Sequence, residues 1–395
     1  MNELLSIAAD WSFWDREVPR NVVRNVDLPS ELRPSLALII QGVRRCGKST
    51  LMQQLVRRYG LEPTRCVFVN FEDPRLSERL SWPTLQGLVD AFRERHPEGP
   101  LHFFLDEIQW VDGWQRWLRS QLDRPRGCTF VISGSNARLL GGELGSTLTG
   151  RHLTVELFPF DLDEFRQLVP DGGVADWLER GGFPEPGALP QADADRLLRQ
   201  YVHDIVERDV RERIGARSSL AIRQLVQAVF ESAGSELSLR RIAGSQGIAV
   251  ETAASWLEAC EDAYLLFSVP WFCWSARKRS ARNSKYYPVD SGLRRVSITP
   301  GGADRGKSLE IAVHRELRRK FGEVFYWRDG PGRGEVDFVV LRGRTAIPVQ
   351  VTWDAPHSRH HRALDLFYEA HPHAAEAVFV TVDTFEDALG ALQPA

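Results

Sequence analysis

The sequence has few cysteines, few lysines and no long apolar run. Its five cysteines form no Cys-x-x-Cys pair, which argues against a disulfide framework or a zinc ribbon and favours a reducing compartment. No apolar run approaches the roughly 18 residues of a membrane span. Asp10, Asp15 and Glu17 interrupt the amino terminus, so it does not resemble a signal peptide. We therefore expect a cytoplasmic protein with no membrane partner.

Lysine is scarce in this sequence, so the position of each lysine is a clue to function. The chain has 50 basic residues but only five lysines, and one of them, Lys48, lies in a glycine-rich segment. The net charge of −3 does not by itself predict a polyanionic partner. With 395 residues, 43% of them hydrophobic, the chain is long enough for two or three globular domains.

Short apolar segments alternate with helical patterns over residues 1–160. Strands are predicted at 36–41, 66–70, 101–105 and 128–132. Continuous rather than alternating apolar strands are typical of a sheet that is covered on both faces. The first 160 residues are therefore predicted to form an α/β domain with a mainly parallel sheet.

Helical patterns dominate after Pro159, and three further domains are predicted. Residues 161–215 would form a helical lid. Residues 216–300 contain a helix, a turn at Gly244–Gly247, a second helix and two strands, which is the pattern of a winged-helix domain. Residues 301–395 are predicted to form a second α/β domain.

The segment Gly42-x4-Gly47-Lys48-Ser49 satisfies the phosphate-loop pattern, between a predicted strand and a predicted helix. Its glycines allow the backbone to wrap closely around phosphates. Lys48 would contact the terminal phosphates and Ser49 would hold Mg²⁺. The remaining nucleotide contacts are predicted at Arg45, Cys46 and Thr50.

Two acids, Asp106 and Glu107, follow the strand 101–105. Asp106 would hold Mg²⁺ there, and Glu107 would orient and deprotonate the attacking water. The alternative is a solvated helix start, since acids favour first turns. Ser135 and Asn136 follow the next strand, where they would either contact the γ-phosphate or cap a helix.

Five motifs, in this order, resemble the AAA+-like family of prokaryotic ATPases, which carry an accessory carboxy-terminal domain of uncharacterised function. They are Gly42–Thr50, Leu105–Gln109, Ser133–Asn136, Leu148–Arg151 and Gly181–Pro184. The resemblance implies ATP as the nucleotide and a homo-oligomer, with a hexamer as one candidate. It also implies that Arg151 completes a neighbour's site as an arginine finger and that Pro184 packs against adenine. The alternative for Arg151 is an ordinary surface arginine.

A basic and aromatic segment lies between the two predicted wing strands. Residues 271–289 contain no acid, and their basic residues are Arg277, Lys278, Arg279, Arg282 and Lys285. This pattern predicts DNA binding, mainly through phosphates, because the second helix is itself poorly basic. The alternative is a protein-contact module whose aromatic residues belong to the core.

The last domain resembles the restriction-endonuclease-like nuclease core through Glu310 and Asp337. Gln350 stands where that core has a second acid, Thr352 stands where it has a lysine, and neither strand offers a replacement lysine. A degenerate nuclease-like domain used for binding is therefore expected.

Together these features predict an oligomeric, Mg²⁺-dependent ATP hydrolase that binds and remodels DNA. Two alternatives stay open at this point. One is an ATP-driven signalling or defence switch that acts on a protein partner, and the other is a weak metal-dependent nuclease.

Overall fold

The chain forms two compact units, Met1–Leu157 and Phe158–Ala395. The computed structural model describes residues 2–12, 22–134, 148–216, 218–299, 305–330 and 334–394. Within these ranges, no helix combines the length and the apolarity needed to cross a membrane. The predicted boundaries at residues 160, 215 and 300 stay predictions.

The first unit contains a five-stranded, fully parallel sheet in the order β2-β3-β4-β1-β5. Its strands are β1 (Ala37–Gln41), β2 (Cys66–Asn70), β3 (Leu101–Asp106), β4 (Cys128–Gly134) and β5 (His152–Glu156). The helices described around it are α1 (Asn2–Trp11), α2 (Lys48–Arg58), α3 (Trp82–Arg95) and α4 (Trp114–Asp123).

The buried strands explain why the sequence predicted a parallel sheet. Every residue of β1, β3 and β4 is buried, as expected for strands covered on both faces. The four predicted strands and the α/β class are confirmed. The sequence did not predict β5, because this edge strand is half exposed and lacks the continuous apolar signal.

The strand ends determine where a site can form. Asn70 pairs with Asp106 across β2 and β3, and Gln41 pairs with Gly134 across β1 and β4. Since parallel strands end at the same edge of a sheet, these residues lie along the edge from which the glycine-rich loop leaves.

The second unit contains two separate sheets. One pairs β6 (Leu266–Val269) with β7 (Lys285–Pro288) in antiparallel orientation. The other has the order β11-β10-β9-β8, formed by β8 (Phe325–Arg328), β9 (Glu335–Arg342), β10 (Thr345–Val351) and β11 (Val378–Val380). The strands predicted between residues 323 and 381 are confirmed.

Helices make up most of the rest of the second unit. They span Leu162–Leu168, Val174–Arg180, Pro184–Gly187, Gln191–Asp204, Glu212–Ile214, Ser219–Glu231, Leu239–Gln246, Val250–Asp262, Ala276–Arg279, Ser291–Ser297, Arg305–Phe321, Ser358–Ala370 and Phe385–Ala391, with a π-helix at Ile205–Arg211. Leu239–Gln246 and Val250–Asp262 are the predicted helix pair. Its assignment to a winged-helix domain stays a prediction, as does the nuclease-like assignment of the last domain.

The Gly181-Gly182 turn is a buried junction within the second unit. The Gly182 amide donates to Asp290 at 2.7 Å, and the Gly182 carbonyl accepts from the Phe160 amide at 2.6 Å. A Cβ at Gly182 would lie 2.4 Å from the Phe160 carbonyl oxygen, which excludes any larger residue. Glycine at position 182 therefore has a packing reason of its own, independent of any nucleotide.

Candidate functional site

The glycine-rich loop joins β1 to α2 in a conformation that needs its glycines. Gly42 has φ +153, and a Cβ there would lie 2.1 Å from the Leu157 carbonyl oxygen. Gly47 adopts the left-handed conformation at φ 97, immediately before the first residue of α2. The backbone therefore approaches its surroundings closely at one end of the loop and turns sharply into the helix at the other.

Lys48 is buried within this loop. Its ammonium donates to the carbonyl oxygens of Gly42 at 3.0 Å and Val43 at 3.2 Å. These are the first residues of the loop, so the lysine charge lies inside the loop, at the amino terminus of α2. A phosphate bound there would meet this charge together with the partial positive charge of the helix terminus.

Asp106, the last residue of β3, is the centre of a polar cluster. It is fully buried and accepts hydrogen bonds from the Ser49 hydroxyl at 2.6 Å and the Asn70 amide at 3.3 Å, and from the Ser133 hydroxyl. Burial raises the pKa of Asp106, while the bonds from Ser133 and Ser49 lower it. The structure thus places the two predicted Mg²⁺ ligands, Ser49 and Asp106, in direct contact. A hydroxyl and a carboxylate are oxygen ligands of the kind that Mg²⁺ takes.

Glu107 follows in a strained conformation. It has φ 55, a region that non-glycine residues seldom occupy, and its carboxylate accepts a hydrogen bond from the Gln109 side-chain amide. Its backbone amide donates to the Ser133 hydroxyl at 3.3 Å. Burial raises the pKa of Glu107, opposed by the charge of Lys48. A carboxylate with a raised pKa is suited to accept a proton from water.

Four residues around this cluster were not selected from the sequence as site residues. Asn70 and Ser133 bind Asp106, Gln109 binds Glu107, and the buried Arg24 donates to the Cys46 carbonyl at 2.6 Å. Polar residues at the ends of strands next to β3 were the available signal for Asn70 and Ser133. Arg24 had no such signal, because it comes from a segment distant in sequence.

The other predicted nucleotide contacts are placed as follows. Arg45 is exposed in the loop with φ 71, and Thr50 is half-buried on α2. Cys46 is fully buried, which raises the pKa of its thiol. Ser135 and Asn136 lie outside the described residues, and Pro184 begins the helix Pro184–Gly187 in the second unit.

Arg151 lies at the amino-terminal ends of the parallel strands, whereas the phosphate loop leaves from their carboxy-terminal ends. It directly precedes β5, and its carbonyl accepts from the amide of Ala37, the first residue of β1. Its guanidinium forms an ion pair with Asp123 at 2.7 Å. The loop follows the last residue of β1, so Arg151 lies away from the candidate phosphate site of its own chain.

The structure corrects the prediction for Lys285. This residue was expected to contact nucleic acid, but it is fully buried and donates to Glu335 at 2.5 Å. Lys285 belongs to β7, whereas its partner Glu335 begins β9, so the ion pair joins the two sheets of the second unit. Arg277, Lys278 and Arg282 are exposed and Arg279 is half-buried, so these four remain candidates for nucleic acid contact.

Glu335, the partner of Lys285, lines a cavity of about 920 Å³ in the second unit together with Glu310 and Asp337. Basic side chains also line this cavity, namely those of Arg328, Arg359 and Arg362. Burial and neighbouring carboxylates raise the pKa of Glu310 to about 8, and burial raises the pKa of Asp337 to about 6. The Gln350 side chain bonds to the backbone of β9 at Glu335 and Asp337. Over the described part of the chain, no group of three or more His, Cys, Asp or Glu side chains is arranged to hold a metal ion.

Comparison with known families divides the chain into three parts. Residues 35–166 match the model of an AAA domain, residues 172–299 match a domain of unknown function (DUF8612), and residues 305–390 match another (DUF4143).

Proteins similar to most of this chain occur in bacteria and archaea. An uncharacterized protein of Haemophilus influenzae is 27% identical over 341 residues, which cover 82% of this chain and 84% of that protein. One of Methanocaldococcus jannaschii is 28% identical over 373 residues (88% and 81%), and one of Mycobacterium tuberculosis is 29% identical over 346 residues (82% and 73%).

Solved structures resemble the chain only distantly. C. elegans PCH-2 matches with a TM-score of 0.27 and 12% identity, over 66% of this chain and 68% of that one. A chain of Drosophila ORC bound to DNA matches with a TM-score of 0.26 and 11% identity (80% and 95%). Scores this low have no bearing on function. The five-stranded parallel sheet with its helices is an α/β fold, and residues 35–166 match the model of an AAA domain.

Proposed function

We propose that the first unit hydrolyses ATP with the help of Mg²⁺. The main support for this proposal is a 2.6 Å hydrogen bond from the Ser49 hydroxyl, at the start of α2, to the Asp106 carboxylate, at the end of β3. It joins the phosphate loop to the acidic strand end, with Glu107 next in the chain. A loop that only bound phosphate would not need two buried acids beside it.

Each residue has a distinct part in this mechanism. Lys48 and the amide groups of the loop bind the terminal phosphates, and Ser49 and Asp106 hold Mg²⁺. Mg²⁺, when bound, neutralises negative charge on the β- and γ-phosphates. Glu107 accepts a proton from water while the water oxygen bonds to the γ-phosphorus and the bond to ADP breaks. Gln109 holds the Glu107 carboxylate, and Ser133 and Asn70 hold that of Asp106.

Removing the Ser49 hydroxyl tests whether Ser49 and Asp106 hold Mg²⁺ together. We expect Ser49→Ala to raise the Mg²⁺ concentration needed for half-maximal ATP turnover by about 10–100-fold, as loss of a group that supports a metal does elsewhere. Ser49→Thr keeps the hydroxyl and is expected to restore the wild-type requirement. An unchanged Mg²⁺ requirement in Ser49→Ala would show that the pair does not hold the metal.

We further propose that the chain acts as a homo-oligomer in which Arg151 serves a neighbour's site. Arg151 lies at the amino-terminal ends of the strands and its own loop at their carboxy-terminal ends. This separation supports a role in a neighbour's site rather than in its own. The ion pair with Asp123 is only partly buried, with side chains 36% and 37% exposed, so it can be exchanged for another anion at small cost.

Mixing two inactive variants tests the role of Arg151. We expect Arg151→Ala to lower turnover by about 10³-fold or more, and Lys48→Met to be inactive through its own loop. Mixed at concentrations at which the chains assemble, the two variants should regain activity. The Arg151→Ala chain keeps an intact loop, and a neighbouring Lys48→Met chain supplies the Arg151 that this loop needs. Asp123→Ala serves as the control and should stay active. If the mixture stays inactive or Arg151→Ala alone remains active, Arg151 is a surface residue.

The second unit is proposed to bind nucleic acid. Support comes from Arg277, Lys278, Arg279 and Arg282, which lie in a segment without acids. In this function, ATP turnover in the first unit would remodel the bound nucleic acid. Stimulation of turnover by DNA is the expected sign of such coupling, whereas a switch acting on a protein partner would not respond to DNA.

A further inference from the structure

The exposed basic segment of the second unit is firmly anchored at both ends. We call residues 274–282 the basic arm. Before it, the Phe272 amide donates to the Tyr326 carbonyl at 2.6 Å. After it, the Tyr326 hydroxyl donates to the Asn283 carbonyl at 2.7 Å. Both ends are therefore held by one residue of β8, and the arm is presented on a fixed base.

Trp274 is the most distinctive residue of the basic arm. The residue is 55% exposed, although large aromatic residues are usually buried. It contacts the buried Phe272 edge-to-face, with ring centroids 5.3 Å apart. The indole is thus supported on one side and open to solvent on the other.

The four cations of the basic arm fall into two pairs. Arg279 lies over the Phe325 ring at 5.1 Å and Arg282 over the Trp271 ring at 5.0 Å, so both are oriented by aromatic faces. Arg277 and Lys278 are exposed and have no ion-pair partner among the residues that the structure describes. The arm therefore offers one open aromatic ring and four positive charges in a segment whose sequence contains no acid.

We infer that the basic arm binds single-stranded nucleic acid, with an unpaired base stacked on Trp274 and the phosphates on the neighbouring cations. This inference rests on the proposed binding of nucleic acid by the second unit and specifies its form. A duplex keeps its bases stacked and would leave the indole without a partner. In addition, the helix Val250–Asp262 has no lysine or arginine with which to approach a groove.

A protein partner fits the arm less well. Protein interfaces bury an apolar core of several residues. The arm reads Trp-Ser-Ala-Arg-Lys-Arg-Ser-Ala-Arg, so beside Trp274 it offers only small and positively charged side chains. A strand of phosphates and bases complements this composition, because it brings negative charge and flat rings in alternation.

Fluorescence anisotropy with labelled oligo(dT) of about 16 nucleotides tests the inference. We expect the full chain to bind this strand more tightly than a duplex of equal length. Trp274→Ala should weaken binding by about 5–100-fold without changing the salt dependence, and Trp274→Phe should restore most of the affinity.

The double change Arg277→Ala and Lys278→Ala tests the phosphate contacts. It should make the slope of the logarithm of the binding constant against the logarithm of the salt concentration shallower by about 1.4. Oligo(U) in place of oligo(dT) distinguishes RNA from DNA as the strand, and tight binding of either supports the inference.

Arg240→Ala with Arg241→Ala is the matched control, since both are exposed on the helix Leu239–Gln246 and should leave strand binding unchanged. Tighter duplex binding that depends on Arg240 and Arg241 would overturn the inference in favour of groove binding. Absence of binding at low salt, with an altered oligomeric mass in Trp274→Ala, would make the arm a protein interface. ATP turnover of each variant without nucleic acid, measured in parallel, keeps a failure of this inference distinct from a failure of hydrolysis.

Discussion

Replacement of Glu107 by glutamine is expected to lower ATP turnover by about 10²–10⁴-fold, the usual contribution of a general base. The substitution keeps the size and the hydrogen-bonding capacity of the side chain but removes the negative charge that accepts the proton. ATP should therefore still bind, and the variant should accumulate in the ATP-bound state. Equilibrium nucleotide binding and phosphate release, measured on the same preparation, separate the two effects.

Glu94→Gln provides the matched control for this prediction. Glu94 is exposed near the end of α3, so the same chemical change there should leave turnover unchanged. If Glu107→Gln hydrolyses ATP as fast as the wild type, Glu107 is not the base. Its buried, left-handed conformation would then need another explanation.

Loss of the Lys48 ammonium is expected to affect binding as well as turnover. Lys48→Met keeps the aliphatic stem but removes the buried charge, so we expect turnover to fall by about 10²–10³-fold or more and ATP affinity to fall with it. ATP should then raise the melting temperature of the wild-type chain but not that of the variant, because only a ligand that binds the native state stabilises it.

Lys48 also contacts the carbonyl oxygens of its own loop, so a folding defect must be distinguished from a binding defect. The melting temperature without nucleotide serves this purpose. Arg58→Ala, at the exposed end of α2, is the control for removing a positive charge from the same helix. Wild-type turnover in Lys48→Met would contradict the assignment of this loop to the terminal phosphates.

The arrangement of the candidate nucleotide site was largely predictable from sequence because its residues lie at strand ends. A loop between a strand and a helix, and acids after another strand, must meet at one edge of a parallel sheet. The phosphate-loop pattern and the acids after a strand predicted Ser49 and Asp106 as ligands of one Mg²⁺, and the structure places them in contact. The sequence could not identify Ser133 as the partner of Asp106, because strand order and register come from long-range pairing that the local pattern does not contain.

The basic segment shows the opposite case. Lys285 and Tyr287 lie two residues apart on β7 and are both buried, where they contact Glu335 and Glu310. Alternation along a strand puts such residues on one face. The sequence could not show that this face turns toward two carboxylates of the same unit rather than toward solvent. Composition alone therefore grouped Lys285 with the exposed arginines, although the structure buries it in an ion pair.

Phosphate release from ATP by the wild-type full chain, under single-turnover conditions with Mg²⁺, tests the central claim most directly. We predict that bound ATP is converted to ADP and phosphate, that chelation of Mg²⁺ stops the reaction, and that Glu107→Gln retains uncleaved ATP. If the wild-type chain binds ATP and Mg²⁺ but releases no more phosphate than Glu107→Gln, the first unit binds nucleotide without hydrolysing it.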